Sequence, residues 1–140
     1  MLARSIEPGY PRLSVQPMKF TLEGSSNVNV IRSYSVEEIR IGERSIRSSC
    51  IVTADALIVN WPPATLEDLE ANHLEPILEL RPELVLFGTG ARQRFAPAHV
   101  RAVFAAHQIG VEAMDLGAAC RTFNILVNEE RRVAAALFLK

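Results

Sequence analysis

The chain has 140 residues, of which 49% are hydrophobic, and its 15 basic and 16 acidic residues leave a formal net charge of -1. This length fits one domain, which can build a core without disulfides or a bound metal. The balanced charge excludes a general attraction to nucleic acid or to an anionic membrane, and no apolar run approaches the roughly 18–20 residues of a membrane span.

The first 15 residues are expected to form a flexible N-terminal arm, followed by a single α/β domain over residues 16–140. Arg4, Glu7 and Pro8 interrupt the apolar region that a signal peptide needs. Arg4 and Arg12 are compatible with a mitochondrial presequence, but Glu7 and three prolines disfavour the amphipathic helix that a presequence forms. Cys50 and Cys120 lie far apart and form no CxxC motif, which favours reduced thiols in a cytosolic protein. We therefore expect a bacterial cytoplasmic location in preference to the mitochondrial matrix.

Antiparallel β-structure is predicted to begin the fold. A strand begins within residues 28–31, and residues 38–41, a turn at Gly42 and Glu43, and residues 44–53 form a predicted hairpin. Apolar and polar side chains alternate in the second arm of this hairpin, so that one face is buried and the other is solvated.

Strands and helices alternate in the remainder of the chain. Short apolar runs predict the strands, and apolar residues at helical spacing predict the helices, one of which has Pro97 and Gly110 at its ends. Pro76 is expected in the first turn of a short helix, because it would break a longer one. The predicted strands cover residues 56–59, 84–87, 111–114 and 132–139. The predicted helices cover two short segments within residues 65–80, residues 97–108 and residues 118–129.

The order strand, helix, strand, helix, strand over residues 56–114 predicts a βαβαβ core. Helical crossovers between neighbouring strands make those strands parallel. Their carboxyl ends are then expected at one edge of the sheet, where open α/β sheets bind ligands. This argument places residues 60–63, 88–95 and 115–122 around one rim.

The segment Gly88-Thr89-Gly90 follows a strand, as phosphate-binding loops do, because glycines let backbone N–H groups approach an anion. A GxGxxG nucleotide motif would need glycine in place of Gln93, and the sequence has no GxxxxGK(S/T) motif. The simpler interpretation is a sharp exit from the strand that needs a positive φ at glycine.

Arg92 and Arg94 beside this turn, with Arg121 in the first turn of the helix predicted over residues 118–129, form a candidate anion-binding group. A cation in the first turn of a helix opposes the helix dipole unless an anion accompanies it. That anion is either a bound carboxylate or phosphate, or the side chain of Asp115 in an internal ion pair. The sequence leaves both alternatives open.

Two polar residues of the last predicted helix, Thr122 and Asn124, are expected to hydrogen-bond to backbone and to clamp the loop over residues 88–92. Trp61, beside two prolines, is either an exposed aromatic residue on the rim or a plug at the edge of the core. Trp61 and Arg94 together form a predicted interaction rim.

The sequence singles out no reaction. Cys120 lies near a helix N-terminus, which lowers a thiol pKa, but no histidine is near it in sequence, and a buried cysteine is normally inert. The sequence has no GxSxG motif. No metal or cofactor is expected, because ligand-like spacing is missing among the three histidines, His73, His99 and His107.

Three segments, LFGTGARQ at residues 86–93, GVEAMD at 110–115 and ACRTFNIL at 119–126, resemble the Mth938-domain family of uncharacterised bacterial proteins. That family is related to the mitochondrial respiratory complex I assembly factor three, and the resemblance covers residues 16–139. It implies a three-layer α/β fold with a mixed central sheet, around the predicted βαβαβ core and the N-terminal antiparallel hairpin. It brings no established catalytic residues.

Two functions follow as hypotheses. The resemblance favours a non-catalytic binding or assembly-factor-type domain, whose partner is another protein or a second copy of itself. The alternative is a site that binds, or acts on, a small anionic ligand, and no nucleic acid is expected at either. The candidate ligand-binding residues are Gly88, Thr89, Gly90, Arg92, Asp115, Arg121, Thr122 and Asn124.

Overall fold

The computed structural model describes residues 18–21 and 28–139, so the expected arm over residues 1–15 lies outside the described residues. The strands are β1 Met18–Thr21, β2 Ile31–Tyr34, β3 Ile39–Ile41, β4 Arg44–Ile46, β5 Cys50–Val52, β6 Ala56–Val59, β7 Leu84–Gly88, β8 Gly110–Met114 and β9 Val133–Leu137. The helices are a single 3-10 turn at Leu66–Asp68, α1 Ala71–Glu79, α2 Ala98–Ala106 and α3 Leu116–Asn128.

Six strands form the central sheet, in the order β1-β6-β5-β9-β7-β8. β7 pairs in parallel with both β8 and β9, whereas β1 with β6, β6 with β5, and β5 with β9 are antiparallel pairs. The central sheet is therefore mixed, as the resemblance implied.

The position of β6 differs from the sequence prediction. β6 and β7 are not neighbours, because β5 and β9 lie between them, and at about 4.8 Å per strand this separates them by about 14 Å. Two antiparallel pairings link β6 to β9, so β6 nevertheless runs in the same direction as β7 and β8. The carboxyl ends of the three strands thus share one edge of the sheet, although the assumption that they are adjacent is wrong.

Alternating side chains of the central sheet divide the interior into two cores. On β7, Val85 and Phe87 pack in the core that contains Ile77 of α1 and Phe104 of α2. Leu86 points the other way, into the core that α3 and the small sheet share. The molecule therefore has three layers, with the sheet between the α1 and α2 layer and the α3 layer.

A second sheet of three antiparallel strands, β2-β3-β4, packs beside α3. The predicted hairpin is present as β3 and β4, which are joined through a turn with Gly42 at φ 59°. Its second arm is shorter than predicted. It ends at Ile46, and Cys50–Val52 leaves the hairpin to become β5 of the central sheet, where all three of its side chains are buried.

The helix and last-strand predictions agree with the structure except at Pro76. This proline lies inside α1 and not in its first turn. An internal proline removes the N–H that would bond to the carbonyl of residue i−4. Here that residue is Asn72, which is exposed, whereas Pro76 is buried.

Candidate functional site

Gly88 ends β7 at a point that has no room for a side chain. A Cβ atom at this position would lie 2.8 Å from Leu137 Cδ2 and 3.0 Å from Ala119 Cβ. The glycine therefore lets α3 pack closely on the end of the strand. The positive φ predicted for this turn is found at Gly90, at 86°, where a Cβ would meet open space.

Thr89 holds the segment over residues 88–95, which we call the glycine loop. Its backbone N–H donates to the Met114 carbonyl at 2.9 Å. Its Oγ1 lies 2.6 Å from the Arg92 carbonyl oxygen and 3.1 Å from that of Met114, and it accepts the Arg94 backbone N–H at 3.2 Å. One hydroxyl group therefore ties three points of the loop region together.

Two further hydrogen bonds attach the glycine loop to β8 and α3. Gln93 Nε2 donates to the Ala113 carbonyl at 3.2 Å, and the Leu116 backbone N–H donates to the Gly90 carbonyl at 2.8 Å. The loop is thus held by hydrogen bonds at Thr89, Gly90, Gln93 and Arg94.

The two arginines of the glycine loop differ in their surroundings. Arg94 Nη1 lies 3.3 Å from Glu67 Oε2 in an ion pair whose side chains are both 56% exposed, so its contribution to stability is small. Arg92 is exposed, and its guanidinium makes no hydrogen bond or ion pair with any residue that the structure describes. Arg92 therefore carries the uncompensated charge of the loop.

A cleft of about 260 Å³ opens between the glycine loop and the segment that precedes α1. Four of the predicted site residues, Thr89, Gly90, Arg92 and Arg94, line it. Its other lining residues are Val36, Ala64, Thr65, Leu66, Glu67, Ala91, Phe138 and Leu139. Sequence patterns placed Ala91 on the rim but did not assign the other residues of this group to a site. Val36 and the residues that follow β9 reach this edge only through the sheet topology.

Asp115 and Arg121 do not form the internal ion pair, which was one of the two alternatives left open by the sequence. The Asp115 carboxylate is the N-cap of α3 and accepts the Ala118 backbone N–H at 2.8 Å. Arg121 Nη1 instead donates to the Tyr34 hydroxyl on β2. Neither residue lines the cleft, so the structure does not join them to Arg92.

Asn124 clamps a different segment from the one predicted. Its Oδ1 accepts the Ile31 backbone N–H and its Nδ2 donates to the Ile31 carbonyl, each at 2.9 Å. This pairing fastens β2, and not the glycine loop, to α3. Thr122 is half-buried on the same helix, and it does not line the cleft.

Trp61 is a core residue and not an exposed aromatic residue of a rim. It is only 2% exposed, its ring centroid lies 5.3 Å from that of Phe138, and its Nε1 donates to the His73 carbonyl at 3.1 Å. A tryptophan with a satisfied N–H is stable in such a position. Of the two alternatives stated for Trp61, the plug at the core edge is the correct one.

Both cysteines are free, buried thiols. Burial raises the pKa of Cys50, and the neighbouring Cys120 raises it further. Burial also raises the pKa of Cys120 to about 12, with Arg121 opposing the shift and Asp115 adding to it. The thiolate is the nucleophilic form, so burial disfavours the nucleophile hypothesis for Cys120.

The histidines support neighbouring backbone. His73 Nδ1 accepts the Glu70 backbone N–H at 3.0 Å. Burial lowers the pKa of His73, and the nearby Glu70 and Asp68 oppose this shift.

Within residues 18–21 and 28–139, no group of three or more His, Cys, Asp or Glu residues is arranged to hold a metal ion. Among the helices of this part of the chain, none has both the length and the hydropathy that a bilayer crossing requires.

Sequence patterns also did not identify Phe95, which is 83% exposed at the end of the glycine loop. Phe95 does not belong to a helical or strand-like repeat of apolar residues, so no sequence pattern indicates whether its side chain is buried or exposed. The next residue, Ala96, is buried, which fixes the direction of the chain as it enters α2.

The comparison with known sequences identifies a family and a group of named relatives. The family described as Protein of unknown function (DUF498/DUF598) matches residues 31–138. The Danio rerio protein named NADH dehydrogenase (ubiquinone) 1 alpha subcomplex assembly factor 3 is 34% identical over 130 residues, which cover 91% of this chain and 72% of the relative.

Solved structures share the fold. A Xanthomonas campestris protein determined by NMR is 36% identical with a TM-score of 0.73, and the match covers 79% of this chain and 84% of that one. A Bordetella pertussis protein described as an Mth938-like domain is 28% identical with a TM-score of 0.71, over 86% of this chain and 92% of that one. The chain therefore belongs to the DUF498/DUF598 family and has the Mth938-like α/β fold.

Proposed function

We propose that this chain is a non-catalytic protein-binding domain of the assembly-factor type, and that the glycine loop carries its recognition surface. The proposal starts from the relatives, one of which is named as an assembly factor for an NADH dehydrogenase subcomplex. An assembly factor acts by binding other proteins, so the relevant feature of the chain is a surface that is built for contact.

The observation that carries the proposal is the exposure of Phe95. At 83% it is the most exposed of the large hydrophobic side chains that the structure describes. Burying a phenylalanine side chain against a partner contributes about 1.5–3 kcal/mol. Aromatic residues and arginine are also the residue types enriched at protein interfaces, and Arg92 lies on the same loop.

The rigidity of the glycine loop strengthens the argument. The Thr89 hydroxyl and the Gln93 side chain bond to the backbone of β8, and the Gly90 carbonyl accepts a backbone N–H of α3. A loop that is held in one conformation loses less conformational entropy when it binds. An exposed phenyl ring on such a loop favours a specific contact.

The experiment compares two variants that each remove one exposed apolar side chain. Phe95→Ser alters the glycine loop, and Ile125→Ser alters α3, where Ile125 is 57% exposed. Affinity capture from the native host should recover a partner with the wild type and with Ile125→Ser, and lose it with Phe95→Ser. The purified partner must then bind the wild-type chain directly in titration calorimetry.

A second measurement tests the assembly role. Deleting the gene in the native host should lower the amount of assembled NADH dehydrogenase on native gels, and the Phe95→Ser chain should fail to restore it. If Phe95→Ser restores assembly and captures the same proteins as the wild type, the proposal is wrong. Sedimentation of the purified chain identifies the alternative in which the partner is a second copy.

We also propose a bacterial cytoplasmic location for this domain. Free buried thiols support a reducing compartment, since disulfides are rare there. Fractionation of the native host with an antibody to the chain tests the proposal, and recovery from the periplasm or the membrane fraction would refute it.

A further inference from the structure

The cleft beside the glycine loop combines apolar walls with a cation, Arg92, that has no partner within the described part of the chain. The cleft is lined by Leu66, Phe138 and Leu139, each of which is at most 4% exposed. Ala64 adds apolar surface beside Leu66, and Val36 and Ala91 add it from two other segments. A small cavity with such walls favours a ligand with an apolar body.

Among the charged residues that the structure describes in the cleft wall, Arg92 is the one whose charge is not paired. Glu67 is the acidic residue among the described lining residues, and Arg94 lies 3.3 Å from its carboxylate, so these two charges compensate each other. Arg92 has no partner among the described residues. A guanidinium without an internal partner, beside an apolar wall, is suited to bind a carboxylate through two parallel hydrogen bonds.

Thr65 is a second polar group of the cleft whose hydroxyl has no hydrogen bond to residues 18–21 or 28–139. Thr65 precedes the 3-10 turn, and its side chain makes no cap hydrogen bond there. Thr65 lines the cleft from the segment that precedes α1, on the side opposite the glycine loop. Thr65 can therefore donate to the same carboxylate or orient the ligand.

The size of the cleft limits the ligand. A volume of about 260 Å³ is below the roughly 300–1,000 Å³ of pockets for drug-sized molecules. At about 30 Å³ for each water-sized group, it accommodates on the order of nine non-hydrogen atoms. A short aliphatic or aromatic acid fits this limit, whereas a nucleotide does not.

We propose that this cleft binds a small apolar monocarboxylate, with the carboxylate on Arg92 and the apolar body against Leu66, Phe138 and Leu139. The site does not include Phe95, which lies outside the lining. The inference is therefore independent of the protein-binding function proposed above.

The test titrates the full chain with hexanoate and, separately, with hexanamide, which has the same size and no charge. Hexanoate should shift the backbone NMR resonances of Leu66, Thr89 and Gly90, and hexanamide should bind about tenfold more weakly or worse, because it lacks the charge-assisted hydrogen bonds. Similar affinities for the two compounds, or no shift with millimolar hexanoate, would overturn the proposal.

Four variants locate the site. Arg92→Ala should weaken hexanoate binding by about tenfold or more, while Arg32→Ala, which removes an exposed arginine from β2, should leave it unchanged. Ala64→Leu should also weaken binding, because the exposed Ala64 lines the cleft and the larger side chain would fill part of it. Unchanged affinity in Arg92→Ala would refute the assignment, and Phe95→Ser should bind hexanoate as the wild type does.

Discussion

The side-chain amide of Asn124 pairs with the backbone of Ile31 through two hydrogen bonds, Ile31 N–H to Oδ1 and Nδ2–H to the Ile31 carbonyl, both 2.9 Å long. The two residues are 93 positions apart in the sequence. The Asn124 amide thus provides β2 with one hydrogen-bond donor and one acceptor, as the backbone of a neighbouring strand would do. It therefore joins the small sheet to α3, and so to the central domain.

We predict that Asn124→Ala lowers the free energy of unfolding by about 2 kcal/mol, because two half-buried backbone groups lose their partners. Asn128→Ala is the matched control, since Asn128 is exposed in the last turn of the same helix. Urea denaturation of both variants measures the difference. Equal midpoints for the two variants would mean that the Ile31 pairing contributes nothing.

We expect Gly88→Ala to destabilise the protein by about 1–3 kcal/mol, because the added Cβ overlaps Leu137 and Ala119 in a packed core. Shortening the contacted side chain should relieve part of this strain. The double variant Gly88→Ala with Leu137→Val should therefore lose less stability than the sum of its single variants. Thermal and urea unfolding of all three variants test this coupling, and strict additivity would contradict it.

Much of the fold was predictable, because its signals are local. Short apolar runs marked β6, β7 and β8, and the three buried alanines of β9 were correctly assigned to a strand. The order of the strands was not predictable, since nothing in the residues around Cys50–Val52 indicates that this segment leaves the hairpin to enter the central sheet. That insertion is what separates β6 from β7.

The candidate site was predictable only where it depends on one loop. The glycine loop and its edge of the sheet were identified from Gly88 and Gly90, but the expected partners on α3 were wrong. Asp115 was expected to pair with an arginine and instead caps its own helix, as the residue before a helix commonly does. Asn124 faces a strand that precedes it by 93 positions, a distance over which local patterns carry no information.

The hydroxyl of Thr89 is predicted to control the order of the glycine loop. Thr89→Val keeps the shape of the side chain and removes the group that bonds to the Arg92 carbonyl and accepts the Arg94 N–H. The variant should lose about 1–2 kcal/mol of stability. The Arg94 amide should also exchange faster with solvent deuterium.

Thr89→Ser separates this effect from packing, because it keeps the hydroxyl and removes the methyl group. Its Arg94 amide should exchange at nearly the wild-type rate. Fast exchange in both variants would show that the methyl contacts hold the loop, and slow exchange in both would show that neither group does.

The buried thiols predict a loss of stability at alkaline pH. Burial raises the pKa of Cys50 and raises that of Cys120 to about 12, so both stay protonated in the folded chain when they ionise in the unfolded chain, above about pH 8.5. The folded state then binds more protons than the unfolded state, and the free energy of unfolding falls as the pH rises. Replacing both cysteines with alanine removes this contribution. The free energy of unfolding of the double variant should therefore fall less steeply between about pH 8.5 and 11, whatever its stability at neutral pH.

Urea unfolding at a series of pH values measures how steeply the free energy of unfolding falls in the wild type and in the double variant. The rate of thiol labelling in native buffer gives a parallel check, since labelling should require unfolding. Equal slopes in the wild type and the double variant, or rapid labelling of the folded chain, would show that a thiolate forms within the native structure and would make Cys120 a candidate nucleophile again.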